Sequence, residues 1–292
     1  MNEIIMTSPA KINLFLEIVG RREDGFHEIE SVMQLVDLCD EVHLRRRRDG
    51  IRLQVSGADL PEGRGNLAYR AAALALEAAG LSDGVEIRLV KRIPVAGGLG
   101  GGSSNAAAVL LGVDRLYGLH WPRETLQQMA SGLGSDVPFF LSDGVAVARG
   151  RGEVLTLLPP WPRRWLVVAN PGIPISTAWA YREASSKLTG WQARVTLPTL
   201  TAGGPLEWPP VWAFNRLEEV VLPHRPELLA LKALLQEGGG MPVLMSGSGA
   251  SVFAVVADGD AAEALARRVR ESGAFAAAVT TLPTNPMLEA VA

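Results

Sequence analysis

The chain has a single cysteine, Cys39, four histidines, and only four lysines (Lys11, Lys91, Lys187 and Lys232) among its 28 basic residues. One cysteine cannot close an internal disulfide, and scattered histidines give no zinc-ligand spacing. Neither sign of charge dominates. The 28 basic residues stand against 31 acidic ones, a net charge of -3, and a chain without a basic excess is not a general nucleic-acid binder. No apolar run comes near the ~18 residues needed to cross a bilayer. The opening Met-Asn-Glu-Ile-Ile-Met has neither the basic region nor the long apolar stretch of a signal peptide. These absences predict a soluble, cytoplasmic protein with no nucleic-acid and no membrane partner. The arginine-heavy usage fits the codon bias of a GC-rich genome, in which a retained lysine can mark a place that needs a compact ammonium.

What is present is core. A 48% hydrophobic content over 292 residues is more than one usual domain needs, so two domains are expected, 1–155 and 156–292. From Lys11 to Val19 the pattern alternates, with Ile12, Leu14, Leu16 and Ile18 on one face and Lys11, Asn13, Phe15 and Glu17 on the other. Residues 29–38, 41–48 and 51–55 predict further strands, with Asp49-Gly50 as a hairpin turn whose solvated tip is the Arg45–Arg48 run. Asn66 predicts the N-cap of a helix that ends at Gly80. A strand at 85–90 and helices at 105–117 and 122–133 follow. Beyond Gly144 the reading is short strands at 145–148, 154–157 and 166–169, a helix at 227–237, strands at 243–245 and 252–256, a helix at 261–271 and a strand at 276–281. That order predicts an α+β unit with an antiparallel sheet. Six of the seven tryptophans lie between Trp161 and Trp212, in a proline-rich stretch where they read as packing residues.

The densest signal is Pro94-Val-Ala-Gly-Gly-Leu-Gly-Gly-Gly-Ser-Ser104, with five glycines in six positions between a predicted strand and a predicted helix. Glycines there allow positive φ and close approach to the backbone amides. The free N–H groups and positive dipole end of the following helix favour an anion, and phosphate is the natural guest. The dinucleotide fingerprint G-x-G-x-x-G fails from Gly98, where its third glycine is Ser103, and from Gly100, where it is Asn105. Walker A fails because no lysine follows Gly102. The protein-kinase loop fails for want of its V-A-I-K lysine.

Other residues stay open by type alone. Asp136, in Gly134-Ser-Asp-Val-Pro138, suits either a turn cap or a general base. Lys11 alone reads as a solvated strand lysine. Phe26 and Tyr181 read as core or surface aromatics and His27 as a capped turn histidine. The Ser246–Ser251 turn either joins two strands or closes over a ligand. Cys39 reads as a small buried residue, and His43, His120 and His224 as structural or surface residues.

Pro94–Ser103 matches P-x-x-x-G-L-G-[GS]-[GS]-[SA] and so resembles the GHMP kinase superfamily. Ala10-Lys-Ile-Asn-Leu-Phe-Leu16, Gly20-Arg-Arg-Glu-Asp-Gly-Phe-His-Glu-Ile29 and Gly134-Ser-Asp-Val-Pro-Phe-Phe140 are similar to the branch that phosphorylates diphosphocytidyl-methylerythritol in the non-mevalonate isoprenoid pathway. Met245-Ser-Gly-Ser-Gly-Ala-Ser-Val-Phe253 resembles the superfamily's C-terminal glycine loop. The resemblance implies an α+β, two-domain fold. Its N-terminal α/β domain would be of ribosomal-protein-S5-like type and its C-terminal α/β domain ferredoxin-like, with the active site in the cleft between them. It also implies ATP with Mg2+, the 2-hydroxyl of diphosphocytidyl-methylerythritol as acceptor, and a monomer or homodimer.

By the same resemblance Lys11 and Asp136 are the catalytic pair, with Lys11 holding Asp136 ionised. ATP is expected on Pro94, Val95, Ala96, Gly97, Gly98, Leu99, Gly100, Gly101, Gly102, Ser103 and Ser104, with Asn66 and Leu67 beside the adenine and Ser104 as the metal-ligand candidate. Asn13, Phe26, His27, Thr177 and Tyr181 are expected on the acceptor. Phe26 and Tyr181 would wall the cytosine, with Trp179 the alternative to Tyr181. Phe26 stands where relatives usually carry tyrosine, which keeps the stacking face and drops the hydroxyl. A mevalonate- or homoserine-like kinase would share the glycine loop without the Asp24-Gly-Phe-His27 segment. A noncatalytic ATP-binding paralogue would have lost Lys11, Asp136 or the loop.

Overall fold

The structure, a computed structural model, describes residues 2–187 and 212–289. Trp191 and Trp208, among the tryptophans read as packing residues, lie outside the described residues. Two long strands, β1 (Glu3–Arg21) and β2 (His27–Arg47), run antiparallel at the centre of the first sheet. The strands predicted at 29–38 and 41–48 are therefore one. Its two halves have different outer neighbours: Ile29–Gln34 pair with β5 (Val145–Gly150), and Glu41–Arg47 pair with β4 (Gly84–Val90).

The hairpin expected at Asp49-Gly50 does not form. Strand β3 (Ile51–Ser56) pairs in parallel with β4, which lies between it and β2. The apolar content of the strands explains the order. Val85, Ile87 and Leu89 of β4 are all buried, which suits an interior strand, whereas β3 buries only Leu53 and takes the edge. Gly84 permits the crossing, because a Cβ there would stand 1.9 Å from Gly50 O. Strand β6 (Val154–Leu157) pairs with β5, and β7 (Trp165–Asn170) opens the second sheet. The short β8 (Phe214–Asn215) returns to the first sheet beside β1.

Three helices cover one face of the first sheet: α1 (Leu67–Ala78), α2 (Gly101–Tyr117) and α3 (Arg123–Leu133). Asn66 caps α1 as predicted, its Oδ1 accepting from Ala68 N at 3.0 Å. Helix α2 begins at Gly101 and not near Asn105, because Gly100, at φ +70, makes the turn into it. Helix α4 (Thr177–Lys187), which the sequence periodicity does not predict, and α5 (Glu218–Val221), α6 (Pro226–Glu237) and α7 (Gly259–Glu271) accompany the second sheet. With β9 (Val243–Met245), β10 (Val252–Val255) and β11 (Phe275–Thr280), that sheet has the order β11-β7-β10-β9 and is antiparallel throughout, as expected. The two sheets meet across an apolar layer that includes Ile12, Phe15 and Val32 from the first and Val168, Phe253 and Val279 from the second. Among the described residues no helix is long and apolar enough to cross a membrane.

One irregularity matters for the site. The register passes from Asn13↔Met33 to Phe15↔Val32, which leaves Leu14 as an extra residue in β1. The bulge interrupts the alternation read from sequence. Phe15 joins Ile12 and Leu14 in the layer between the sheets, while Leu16 shares a cavity with Lys11 and Asn13.

Candidate active site

Where β1, the glycine loop, α4 and the 246–251 turn converge there is a cavity of about 1000 Å³. Among the described residues five cations line it (Lys11, Lys91, Arg21, Arg151 and Arg182) against a single carboxylate, Asp136. Such a chamber attracts polyanions.

The glycine loop forms one wall, and its glycines do different jobs. At Gly98, φ is +74 and a Cβ would lie 2.0 Å from Ser246 O; at Gly97 it would lie 2.6 Å from Ser251 Oγ, and at Gly100 2.7 Å from the Phe140 ring. These are packing requirements. Gly102 has no neighbour nearer than 3.8 Å and faces open space, where a ligand can approach the amides of the first turn of α2. The loop is tied down from three sides: Lys11 N donates to Leu99 O (2.9 Å), Ser251 N to Gly97 O (3.0 Å) and Ser246 Oγ to Gly98 O (2.9 Å).

Pro94, Val95, Ala96, Gly97, Gly98, Leu99, Gly100, Gly101, Gly102 and Ser103 all line the cavity, as do Asn66 and Leu67. Ser104 does not, which corrects its reading as a nucleotide or metal contact. The early start of α2 turns it inward, fully buried, where Ser8 Oγ donates to its Oγ at 2.8 Å. The Asn66 amide is spent on structure, since Oδ1 caps α1 and Nδ2 donates to Pro61 O at 2.9 Å.

Beneath the loop lies a buried network that the sequence reading missed. Lys91 Nζ donates to Asp40 Oδ2 and, at 3.1 Å, to Asn105 Oδ1; Asn105 Nδ2 donates to Ser8 Oγ (2.9 Å) and to Asp40 Oδ2 (2.9 Å). Asp40 Oδ1 also accepts from Arg92 N (2.7 Å) and Ile93 N (2.9 Å), which fixes the strand end that feeds the loop. Lysine scarcity was the available signal, for Lys11 and Lys91, two of the four, are both buried at this cavity.

Lys11 Nζ lies 3.8 Å from Asp136 Oδ2 and donates to Asn13 Oδ1 at 2.5 Å. Asn13 Nδ2 in turn donates to Ser31 Oγ at 2.8 Å. Burial lowers the Lys11 pKa, and the Asp136 carboxylate opposes that shift. Asp136 remains 37% exposed, open to a hydroxyl from the cavity. It follows α3 in the turn before a short 3-10 helix at Pro138–Leu141, beside Gly152 of the β5–β6 turn, where a Cβ would stand 3.5 Å from Asp136 Oδ1.

The other end is aromatic. Tyr181 and His27 lie with ring centroids 5.2 Å apart, and His27 Nε2 contacts Ser185 Oγ at 2.5 Å. Burial, with help from Arg21, lowers the His27 pKa, so the ring is neutral near pH 7. Burial also pushes the Tyr181 phenol upward, with Asp136 adding to the shift. Phe26 is 53% exposed and lines the same cavity. Thr177, at the start of α4, contacts Ser248 Oγ at 2.8 Å. Thr177, Tyr181 and Ser185 all line the cavity from α4, at the spacing of one helix face. Trp179, the alternative wall, turns away and packs edge-on against His224 at 5.7 Å.

Among the described residues no group of three His, Cys, Asp or Glu side chains could hold a metal ion. With Asp136 the only carboxylate among its described lining residues, the cavity does not fit a magnesium held by those protein ligands, and a magnesium accompanying a nucleotide would rest on phosphate oxygens.

Family models match residues 66–144 (GHMP kinases N terminal domain) and 209–274 (GHMP kinases C terminal). The chain is 42% identical over 285 residues to the 4-diphosphocytidyl-2-C-methyl-D-erythritol kinase of Geobacter sulfurreducens, covering 97% of this chain and 100% of that one. It is 43% identical over 274 residues to the enzyme of the same name from Moorella thermoacetica, covering 92% and 96%. A crystal structure of 4-(cytidine 5'-diphospho)-2C-methyl-D-erythritol kinase matches with a TM-score of 0.81 at 39% identity over 96% of this chain and 99% of that one. A homoserine kinase from Cytophaga hutchinsonii, at TM-score 0.68 and 20% identity over 98% and 96%, shares the fold.

Proposed function

The chain belongs to the 4-diphosphocytidyl-2-C-methyl-D-erythritol kinases of the GHMP group, and on that premise we propose that it transfers the γ-phosphoryl group of ATP to the 2-hydroxyl of the diphosphocytidyl alcohol, yielding ADP and the 2-phosphate. The observation that carries this reading is the position of the Lys11–Asp136 pair. It lies in one cavity with the glycine loop on one side and Phe26, His27 and Tyr181 on the other.

The acceptor is a tertiary alcohol, barely ionised at neutral pH, so its proton must leave as the O–P bond forms. Asp136 takes that proton, with the hydroxyl held between Oδ2 and the Lys11 ammonium. Lys11, fixed by Asn13, also stabilises the negative charge that gathers on the transferring group. The amides at the start of α2 hold the nucleotide phosphates, and Leu67 with the backbone of Asn66 borders the adenine. A magnesium ion brought with ATP would supply neutralisation of phosphate charge. The cytosine stacks between Phe26 and Tyr181, with His27 hydrogen-bonding its edge.

The test is ADP release with ATP, magnesium and the diphosphocytidyl alcohol, run beside mevalonate and beside Asp136→Asn. Turnover with the cytidyl substrate alone, reduced roughly 10²–10⁴-fold in the variant, is expected from the loss of a general base. Turnover with mevalonate instead would overturn the acceptor. Full activity in Asp136→Asn would overturn the base.

A further inference from the structure

Of the five cations at the cavity, Lys11 serves the transfer and Lys91 is paired with Asp40, which leaves Arg21, Arg151 and Arg182 without a part in the reaction. Arg151 is the best placed of them. It occupies the β5–β6 turn, where its guanidinium carbon lies 5.0 Å from the centroid of the Phe26 ring. The next residue, Gly152, faces Asp136, since a Cβ added there would lie 3.5 Å from Asp136 Oδ1. Consecutive Cα atoms are about 3.8 Å apart, so two adjacent lining residues face the aromatic end and the carboxylate end of the same cavity. A ligand with its base on Phe26 and its hydroxyl on Asp136 has to pass its linking group over Arg151.

The state of the side chain suits an anion. Arg151 Nε reaches Glu153 Oε1 only at 3.6 Å, and the side chain is 35% exposed. Glu153 is better engaged by the Arg151 backbone, whose N–H donates to Oε2 at 2.6 Å. Asp24, a second carboxylate that feels the Arg151 charge, is committed to Arg22 Nε (3.1 Å) and Phe26 N (3.1 Å). Much of the planar donor fork is thus left for a ligand. A guanidinium stacked on an aromatic ring keeps its edge donors available, the arrangement that suits bidentate contact with phosphate.

We propose that Arg151 is a specificity-determining residue that binds the diphosphate of a cytidine-5'-diphosphate ester, with its guanidinium stacked on Phe26 and its edge on the phosphate oxygens. The proposal rests on the functional reading above. It adds that the enzyme distinguishes a cytidine diphosphate from a bare cytidine through a single side chain. Arg21 and Arg182 widen the positive field but have no such stacked geometry.

The test uses CDP and cytidine as probes, titrated calorimetrically into wild type, Arg151→Gln and Arg151→Lys, with turnover of the diphosphocytidyl alcohol followed separately. In wild type, CDP should bind more tightly than cytidine. In Arg151→Gln that preference should shrink roughly 10–100-fold, the span of a lost charge-assisted pair, while cytidine affinity stays within about twofold. Arg151→Lys should restore part of it, keeping charge but not the fork. In turnover the loss should fall on KM, with kcat little changed, because the contact is equal in ground and transition states. An equal loss for CDP and cytidine would overturn the proposal by making Arg151 only a support for Phe26, and an unchanged preference would overturn it outright. Absence of wild-type turnover with the diphosphocytidyl alcohol would instead count against the functional reading, so the two failures are distinguishable.

Discussion

Lys11 carries opposite consequences for activity and for stability. Burial lowers its pKa below the ordinary 10.5, whereas the unfolded chain titrates near that value. Between the two, the unfolded state binds more protons, so this group makes stability rise with pH. Activity runs the other way, since the ammonium beside Asp136 is lost over the same window. The expected pH–kcat profile therefore has an alkaline limb below 10.5. The difference in melting temperature between wild type and Lys11→Met should move in favour of wild type as pH climbs to 10.5. A limb at or above 10.5 would contradict this account. Cys39 is the inverse case: burial, then Asp37 and Asp40, push its thiol up to about 12. It should stay unmodified by iodoacetamide at pH 8 while a free peptide thiol is consumed. The flanking motifs singled out Lys11 and Asp136, which the fold brings to 3.8 Å of each other at the cavity. Ser104 was misread because its orientation depends on where α2 starts, which Gly100 decides. Arg151 gave no signal at all, since only the fold lays it on Phe26.

Within the glycine loop, composition told that backbone would approach something but not which glycine meets protein and which meets ligand. Substitution should separate them. Gly98→Ala forces a left-handed alanine, costing about 1–2 kcal/mol from backbone alone, and drives Cβ into Ser246 O; it should lower the melting temperature and abolish turnover. Gly102→Ala has room and lies inside a helix, so it should gain roughly 0.5–1 kcal/mol while raising KM for ATP, because the methyl occupies the approach to the amides. A calorimetric scan with ATP titration of both variants checks the contrast. At this scale most strands and helices were readable from period and caps. The hairpin at Asp49-Gly50 was not, because a local turn signal says nothing about which strand will pair. Nor was α4, whose buried positions include the small Ala180 and Ala184 and so give little apolar rhythm.

Across the molecule, the two halves are stitched at several points besides the apolar layer. Arg216, which follows β8, is 1% exposed and donates to Glu17 on β1 through both Nε (2.8 Å) and Nη2 (2.6 Å), and to Glu219 through Nη1 (2.5 Å). Asn215 Nδ2 holds Met245 O (2.6 Å) and Gly247 O (2.8 Å). Lys232 joins Glu218, whose Oε1 accepts from Met245 N at 2.6 Å. Arg216→Met should destabilise by about 3–5 kcal/mol by stranding a buried carboxylate, and adding Glu17→Gln should return part of it. Denaturant melts of both variants measure this. With ties this dense, wild type should unfold in one calorimetric transition. These ties escaped the sequence reading because their partners are far apart in the chain, as Glu17 and Arg216 are.

The extra residue at Leu14 means that the site is encoded in spacing as much as in residue type. Deleting Leu14 would restore strict alternation with Lys11, Asn13 and Leu16 still on the cavity and Ile12 and Phe15 still in the layer between the sheets, at the cost of Leu14's own place in that layer. In this strand Leu14 is therefore the position whose loss disturbs its neighbours least, and a gene-level deletion scan through codons 12–16 should find its mildest effect there.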